Sequence, residues 1–241
     1  MPRVVKENEY AVKRNEILDV AQRLVYTTGY EQMSVQDILD EINISKGAFY
    51  HYFDSKLALL DGLVERMMDE AVQVLQPIVD TVDLPALEKM RRYFAAGSRW
   101  KVARKSFMLD LMRVWYTDSN TLVRQKQEAA AMKRIAPMLA DIVRQGIMEG
   151  VFTTTYPDQI GSMIWGLAEG ITDNVAELLL SNNPPPDALQ RLEAIIGAYS
   201  EAMERILGAP VGSLPLADIA MIKDWLVTSP KEKTLSTMET I

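Results

Sequence analysis

The segment SVQDILDEINISKGAFYHYFDSK, residues 34–56, carries the clearest structural signal in this chain. Its apolar residues keep a helical period as far as Ile42, and Asn43 interrupts that period because asparagine tolerates a left-handed backbone. Ser34 and Ser45 each precede a helical segment, where a serine hydroxyl caps a free backbone N–H. The segment therefore predicts two short helices joined by a tight turn, which is the geometry of a helix-turn-helix.

The second of these helices has the side chains expected of an element that enters the major groove of DNA. Ser45 directs free N–H groups of the helix toward phosphate, and Lys46 adds a positive charge. Gly47 and Ala48 are small enough to approach the edges of bases. The other predicted DNA contacts are polar groups on this helix or at the start of its neighbours, and these are Tyr50, His51, Tyr52, Ser34 and Lys56.

Two observations keep other interpretations open. Paired short helices with aromatic residues are also common in all-α proteins that bind no DNA. The chain carries a net charge of −7, and residues 1–56 hold seven Lys or Arg against nine Asp or Glu. Few phosphate contacts imply a shallow salt dependence, so affinity would depend on two copies binding together. The positive charges are nevertheless grouped on the first helix and beside the second short helix, at Arg3, Lys6, Lys13, Arg14, Lys46 and Lys56.

The chain as a whole is predicted to be all-α. Almost every segment has the 3.6-residue period of an amphipathic helix, and no alternating run long enough for a sheet occurs. Pro77 and the Asn182–Pro186 segment are expected to end helices, and Pro137 marks a junction or a kink. The predicted helices cover residues 8–28, 34–42, 45–52, 55–76, 85–99, 103–116, 119–135, 136–148, 157–182, 187–208 and 215–227.

Composition excludes several functional classes. The chain has no cysteine and a single histidine, which excludes disulfide scaffolds, thiol catalysis, cysteine zinc sites and multi-histidine metal sites. No nucleophile motif or glycine-rich phosphate loop occurs, so we expect no catalytic residue, no metal and no cofactor. No apolar run approaches the length of a membrane span, and the first residues lack the apolar core of a signal peptide. We therefore expect a cytoplasmic protein with no membrane partner.

Residues Arg14 to Leu60 closely resemble the DNA-binding region of the TetR family of transcriptional regulators. The most specific part is the pattern Ser-Lys-Gly-x-x-Tyr-x-x-Phe at residues 45–53, followed three residues later by Lys56. Other positions that match the family pattern are Asn15, Glu16, Ile17, Leu18, Ala21, Leu24, Gly29, Tyr30, Ser34, Val35, Asp37, Ile38 and Ile44.

Two positions depart from the family pattern. Asn43 stands where the family usually has glycine, and it keeps the tolerance for a left-handed backbone. Leu57 stands where an acidic residue often follows the lysine, which removes a favourable charge at a helix N-terminus but leaves Lys56 in place.

The resemblance implies an N-terminal three-helix helix-turn-helix DNA-binding domain followed by a larger helical domain that binds a ligand and dimerises. On this basis we place the DNA-binding domain at residues 1–56 and the effector-binding and dimerisation domain at 57–208. Residues 209–241 would form a C-terminal extension with a short helix and a loose tail. The resemblance also implies a homodimeric repressor that binds a palindromic double-stranded DNA operator and is released by a small-molecule effector.

Two long helices near the end of the chain are candidates for the dimer interface. Helix 157–182 has a row of small residues at four-residue spacing, which would let another helix approach closely. Packing inside the chain's own domain would explain the same row. With helix 187–208 as its partner, the predicted interface consists of Ser162, Gly166, Gly170, Asn174, Leu192, Ile196, Tyr199 and Met203.

Helix 103–116 is apolar almost all round, which indicates that it is buried. Asp110 and Arg113 within it either pair with each other or supply the polar groups of an effector cavity. Ordinary core packing would equally explain its aromatic residues. The predicted pocket residues are Trp100, Phe107, Asp110, Met112, Arg113, Trp115, Trp165 and Glu169.

One alternative function remains beside DNA binding. The chain would then be an all-α protein-interaction or ligand-sensing module that retains the fold without binding DNA. Its acidic charge favours this alternative, whereas the intact motif from Ser45 to Lys56 opposes it.

Overall fold

A computed structural model describes residues 2–117, 120–181 and 185–216, together with residues 223 and 225, and this part of the chain contains helices and no strand. The predicted all-α fold is confirmed. The helices are α1 (Pro2–Thr28), α2 (Val35–Ile42), α3 (Lys46–Tyr50), α4 (Lys56–Asp80), α5 (Ala86–Ala103), α6 (Lys105–Trp115), α7 (Thr121–Met148), α8 (Pro157–Leu180) and α9 (Ala188–Leu207).

Two prolines lie inside helices, where the sequence predicted interruptions. Pro77 is inside α4 and Pro137 is inside α7, so the predicted end of a helix at Pro77 and the separate helices over 119–135 and 136–148 are wrong. A proline inside a helix costs about 3 kcal/mol. Burial of apolar neighbours offsets that cost, and these neighbours are Leu75, Val79, Ile135, Ala136, Met138 and Leu139.

The chain divides into two compact units. The first comprises residues 1–73 and 106–131, and the second comprises residues 74–105 and those from 132 onward. This division differs from the domains predicted at 1–56, 57–208 and 209–241, because α6 and the first part of α7 group with the N-terminal helices. The functional boundaries therefore stay a prediction.

The first unit has a core that its N-terminal helices share. At Gly62 in α4, a Cβ atom would lie 3.0 Å from the Phe53 ring and 3.1 Å from Leu18 Cδ2. The guanidinium of Arg66 joins α4 to α1, because it donates to Asp19 Oδ1 at 2.6 Å and to the Asn15 carbonyl. The residues that bury their side chains here include Ile17, Leu18, Ala21, Ile38, Phe49, Phe53, Leu59 and Leu60.

The second unit contains the pair formed by α8 and α9. Val175 and Leu192 are the buried centre of their contact, and Ile171, Leu189 and Ile196 pack around them. Gly161 at the start of α8 lies against the Ala136 carbonyl of α7, at a distance that leaves no room for a side chain. α8 therefore depends on glycine for its approach to α7, much as α4 depends on Gly62.

The segment after α9 packs within the second unit, to which it belongs. Gly208 ends α9 in the left-handed region at φ 65°, and the buried carboxylate of Glu204 then accepts the N–H groups of Gly212 and Leu214 at 2.9 and 2.7 Å. The Leu216 N–H donates to Ser200 Oγ. Ser213, Leu214 and Leu216 of this segment are buried, whereas Val211 is exposed, and the boundary of the predicted C-terminal extension at residue 209 stays a prediction. The predicted helix over 215–227 lies almost entirely outside the described residues.

Among the residues that the structure describes, no helix is long and apolar enough to cross a membrane.

Candidate nucleic-acid interface

Both caps of α2 form as the sequence predicts. Ser34 Oγ accepts the Asp37 N–H at 3.2 Å, and the Asp37 carboxylate accepts the Ser34 N–H at 2.7 Å, which completes a capping box. The bonds that Ser34 donates hold the pKa of Asp37 below its usual value. Asn43 follows the helix with φ 51°, in the left-handed region. The backbone N–H groups of Asn43 and Ile44 both donate to the Leu39 carbonyl, so local hydrogen bonds determine the turn between the two short helices.

α3 is a single helical turn held by its own aromatic residues. Ser45 Oγ accepts the Ala48 N–H at 3.1 Å and caps the turn. Phe49 is completely buried, and its ring lies 5.9 Å from the ring of Phe53, which is also buried. Because these two rings point inward, the opposite face of α3 points outward.

Most of the predicted DNA contacts are exposed. Ser34, Ser45, Lys46, Gly47, Tyr50 and His51 are exposed, whereas Ala48, Tyr52 and Lys56 are partly buried. The structure therefore leaves most of the predicted residues in and beside α3 accessible. Their contact with DNA stays a prediction.

Gly47 has no packing reason to be glycine. A Cβ atom built there would have Ser45 Oγ as its nearest heavy atom, at 3.9 Å, and its φ is outside the left-handed region. A glycine inside a helix costs about 0.5–1 kcal/mol relative to alanine. The fold gains nothing for that cost, so the open space over Gly47 suits the close approach of another molecule.

Lys56 makes contacts inside the first unit as well as standing near α3. Its ammonium lies 4.3 Å from the centre of the Tyr30 ring and donates to the Glu31 carbonyl at 3.3 Å. Burial lowers the pKa of Lys56, and the carboxylates of Glu31 and Asp37 oppose that shift. Burial also raises the pKa of Tyr30 to about 12. Lys56 therefore ties the start of α4 to the turn after α1, a role that the sequence did not suggest.

An aromatic cluster joins α1 to the end of α3. The Tyr10 ring lies 4.8 Å from the Tyr52 ring and 5.6 Å from the His51 ring, and those two rings lie 5.2 Å apart. The sequence interpretation missed Tyr10. Its position seven residues before Ile17 places it on the apolar face of α1, and this spacing is the signal that would have found it.

The basic residues of α1 are partly neutralised within the chain. Lys13 pairs with Glu16 at 2.7 Å. Arg14 lies 3.6 Å from Glu65 and stacks over the Phe53 ring at 5.1 Å. Arg3 and Lys6 lie on α1, and their side chains are outside the described part of the structure. Lys46 is thus the clearest exposed cation on the outer face of α3.

The predicted pocket residues divide between the two units. In the first unit, Asp110 pairs with Arg113 at 2.9 Å and accepts the Tyr30 N–H at 3.2 Å, so the pairing that the sequence allowed is present. Phe107 is buried and packs against Tyr26. Met112 and Trp115 of this unit are partly buried, as are Trp100, Trp165 and Glu169 of the second unit.

Several buried donors lack a hydrogen-bond partner among the described residues. They include the indole Nε1 atoms of Trp100 and Trp115 and the hydroxyl of Tyr93. Tyr93 is only 5% exposed, and burial raises its pKa. Tyr93 and Trp100 are seven residues apart in α5 and therefore share a face. Sequence reasoning found the two tryptophans and missed Tyr93.

Part of the predicted dimer interface is occupied inside the chain. Asn174 Nδ2 donates to the Tyr199 hydroxyl at 2.9 Å, and a Cβ atom at Gly170 would lie 2.8 Å from that hydroxyl. Gly170, Asn174 and Tyr199 therefore serve the packing of α8 on α9, which was the alternative explanation. Leu192 and Met203 are buried within the chain, so no surface is left on them for a partner.

The rest of the predicted interface lies at or near the surface. Gly166 is exposed, and a Cβ atom at this position would have no atom within 4 Å. Ser162 and Ile196 are partly buried. Met163 is exposed beside them, and the sequence prediction did not include it.

Two family models match the chain. The model described as bacterial regulatory proteins, tetR family, matches residues 17–63, and the model described as tetracyclin repressor-like, C-terminal domain, matches residues 110–176. The first match contains α2, α3 and the caps described above. This first match begins at residue 17, seven residues after Tyr10.

Curated relatives are transcriptional regulators. The chain is 45% identical over 56 residues to an uncharacterized HTH-type transcriptional regulator of Lactococcus lactis subsp. lactis, which covers 22% of this chain and 29% of that protein. It is 27% identical over 143 residues to the HTH-type transcriptional repressor KstR2 of Mycobacterium tuberculosis, which covers 58% of this chain and 69% of that protein. The matched part is therefore under a third of the first relative and about two thirds of the second.

Solved structures share the fold. A TetR-family transcriptional regulator from Pectobacterium atrosepticum superposes with a TM-score of 0.59 at 20% identity, covering 84% of this chain and 98% of the other. A transcriptional regulator from Cytophaga hutchinsonii superposes with a TM-score of 0.58 at 14% identity, covering 88% of this chain and 97% of the other. At these identities, the likeness establishes the fold alone.

We predict that Gly47→Ala stabilises the protein and weakens its binding to DNA. The free energy of unfolding should rise by about 0.5–1 kcal/mol, because alanine favours the helix and its methyl group would make no contact closer than an ordinary van der Waals distance. Affinity for DNA should fall about fivefold or more, because the methyl group fills the space needed for close approach. Urea unfolding and fluorescence anisotropy on a labelled duplex would measure the two effects. Gly97→Ala in α5 is the matched control, and equal DNA affinities for both variants would contradict the prediction.

Proposed function

We propose, from the premise that this chain belongs to the TetR family of DNA-binding transcriptional regulators, that it is a homodimeric repressor released from a palindromic operator by a small-molecule effector. Each subunit would place α3 in the major groove of one half-site. The two half-sites would then lie about 34–36 Å apart or a multiple of that distance. The repressor assignment is supported by the name of the KstR2 relatives.

One observation carries the DNA-binding proposal: Ser45, Lys46 and an unobstructed Gly47 are all exposed at the start of α3, while Phe49 anchors the same turn in the core. The backbone N–H groups after Ser45 and the Lys46 ammonium can bind phosphate oxygens, and the backbone at Gly47, which has no side chain, can approach the DNA groove closely. These are the roles that the sequence predicted for the three residues.

The charge distribution supports a requirement for two subunits. Lys13 and Arg14 are paired with carboxylates of the same chain, so they contribute little net attraction to phosphate. Each half-site would then rest on few phosphate contacts and bind with moderate affinity. Linking two half-sites through a dimer multiplies that affinity without adding contacts to either one.

Open glycines support dimerisation through α8 and α9. Gly166 in α8 and Gly197 in α9 are both exposed, and a Cβ atom at either would meet nothing within 4 Å. Among the residues that the structure describes, nothing requires glycine at either position, whereas close helix approach by a second copy would. We therefore centre the proposed interface on Ser162, Met163 and Gly166 of α8 and Ile196 and Gly197 of α9, and we leave out Leu192 and Met203.

The unpartnered donors of α5 support an effector site in the second unit. A buried donor without a partner costs about 1–3 kcal/mol, and an acceptor atom on a ligand would recover that free energy. We propose that Trp100 and Tyr93 belong to this site. The other predicted pocket residues stay candidates within their own units.

Release would act through α4, which is one helix from Lys56 to Asp80 and begins beside α3. A tilt of α4 driven by the effector would change the separation of the two α3 helices. Coupling of this kind is reciprocal, so bound operator would weaken effector binding by the same factor.

A second candidate function is a module that keeps the fold and binds no DNA. The acidic net charge and the internally paired cations of α1 favour it. Selection from a random duplex pool with the purified full chain separates the two candidates. A recovered palindrome supports the repressor, whereas repeated empty selections would favour the module.

We predict that Lys46→Ala weakens binding to all duplexes by a similar factor. The slope of log affinity against log salt should become shallower by about one unit, because one phosphate contact is lost. Anisotropy titrations of the selected duplex at several salt concentrations would measure both quantities. Lys133→Ala removes an exposed lysine of α7 and should leave the slope unchanged. An unchanged slope for Lys46→Ala would refute its assignment to phosphate.

We predict that Gly166→Arg converts a dimer into a monomer without unfolding it. Arginine favours a helix over glycine by about 1 kcal/mol, and the position is open within the chain. In a dimer, the two arginines would be brought together at a closely packed surface. Light scattering would give the mass, and circular dichroism the helix content. Ala130→Arg at an exposed position of α7 is the control. A dimeric Gly166→Arg variant would place the interface elsewhere.

We predict that Tyr93→Phe raises or preserves stability in the absence of ligand. The hydroxyl has no partner among the described residues, so its removal should relieve about 1 kcal/mol of desolvation cost. DNA binding should remain, while the response to an effector found by screening should weaken. Thermal unfolding checks the first expectation, and anisotropy with added effector checks the second. A loss of more than about 1 kcal/mol without ligand would mean that the hydroxyl is already satisfied.

A further inference from the structure

The N-terminal part of α1 contributes an aromatic residue to the surface around α3. Tyr10 lies on α1, seven residues before the segment that the family model matches. Its side chain is 39% exposed, although its ring contacts both His51 and Tyr52. Tyr10 lies outside the helix-turn-helix motif, so the motif does not explain why a tyrosine stands at this position.

The contact falls where α3 has least support of its own. α3 has five residues, and a helix of that length is not stable without packing. Phe49 anchors its centre from inside the core. At its end, the His51 N–H bonds to the Gly47 carbonyl at 3.2 Å, which places the backbone of His51 but leaves its side chain to be oriented by neighbours.

The geometry of the three rings supplies that orientation. The Tyr10 ring lies edge-on to the His51 ring with an interplanar angle of 83°, and it lies over the Tyr52 ring at 36°. His51 and Tyr52 meet at 77°. Each ring therefore restricts the rotation of the other two, at preferred separations for aromatic pairs.

We infer that Tyr10 is a positioning residue for DNA binding, which holds the His51 imidazole and the Tyr52 ring in the orientation that meets the phosphate backbone. This inference rests on the proposed DNA-binding function. Side chains that are ordered before binding lose less conformational entropy on binding, so their contacts yield more affinity. Tyr10 would thus act through its ring, without a contact of its own to DNA.

The chain offers a matched control on the same helix. Tyr26 is also in α1, is 37% exposed and also contacts one ring, that of Phe107 at 5.9 Å. Each tyrosine makes an aromatic contact within the same unit, and its removal loses that contact, but Tyr10 contacts the rings that directly follow α3 whereas Tyr26 contacts Phe107 of α6. A purely structural role would give both variants the same loss of melting temperature and the same change in DNA affinity.

The experiment measures the affinity of the full-length protein for the duplex selected with wild type. Tyr10→Ala should weaken binding about threefold to tenfold, which is the effect of losing one or two aromatic contacts. Tyr10→Phe should stay within about twofold of wild type, because it keeps the ring. Tyr26→Ala should bind like wild type.

A double-mutant cycle tests whether Tyr10 acts through its neighbours. In a His51→Ala, Tyr52→Ala background, adding Tyr10→Ala should change affinity by less than about twofold. An undiminished effect in that background would overturn the positioning role. A Tyr10→Phe variant as weak as Tyr10→Ala would also overturn it, since the hydroxyl would then be the contacting group.

The outcomes also separate this inference from the proposed function. Suppose that wild type selects a duplex, that Lys46→Ala weakens binding to this duplex, and that Tyr10→Ala does not. In that case the inference about Tyr10 alone is wrong. If Tyr10→Ala and Tyr26→Ala lose affinity and melting temperature equally, the role of Tyr10 is structural and the inference is again wrong. If wild type selects no duplex, both fail together.

Discussion

The burial of Phe49 and Phe53 is the constraint on which the proposed DNA-binding surface depends. α3 is one helical turn and has too few hydrogen bonds to persist alone. The two rings hold it in the core, and Gly62 lets α4 come close enough to cover Phe53. Anchoring Phe49 in the core leaves Gly47 on the opposite face of α3, and Ser45 and Lys46 stay exposed at the start of the helix.

The acidity of the chain becomes compatible with DNA binding once the positions of the charges are considered. The carboxylates of Glu16 and Glu65 partner Lys13 and Arg14, and Lys56 is held against Tyr30. In the proposed complex, only a small set of exposed groups at α3 would then remain to contact phosphate. Binding in that proposed complex would depend on shape, on helix N–H groups and on a second subunit more than on a broad positive field.

Sequence reasoning was most accurate where a residue acts on its immediate neighbours. Ser34, Asn43 and Ser45 cap and break helices within three or four residues, and each does so as predicted. It was least accurate where a distant element decided the outcome. Pro77 and Pro137 stay inside helices because their apolar neighbours are buried. The small residues Gly170 and Asn174 of α8 pack against Tyr199 of the same chain.

The sequence by itself determined the all-α fold, the helix-turn-helix and the exposed residues of α3. Helical period, capping and the motif each depend on residues that are close together in the chain, so they can be identified from the sequence alone. Only the tertiary structure decided that Tyr10 joins His51 and Tyr52, that Lys56 rests on Tyr30, and that Leu192 and Met203 are buried. These facts depend on residues far apart in the chain, whose meeting is decided by how whole helices pack.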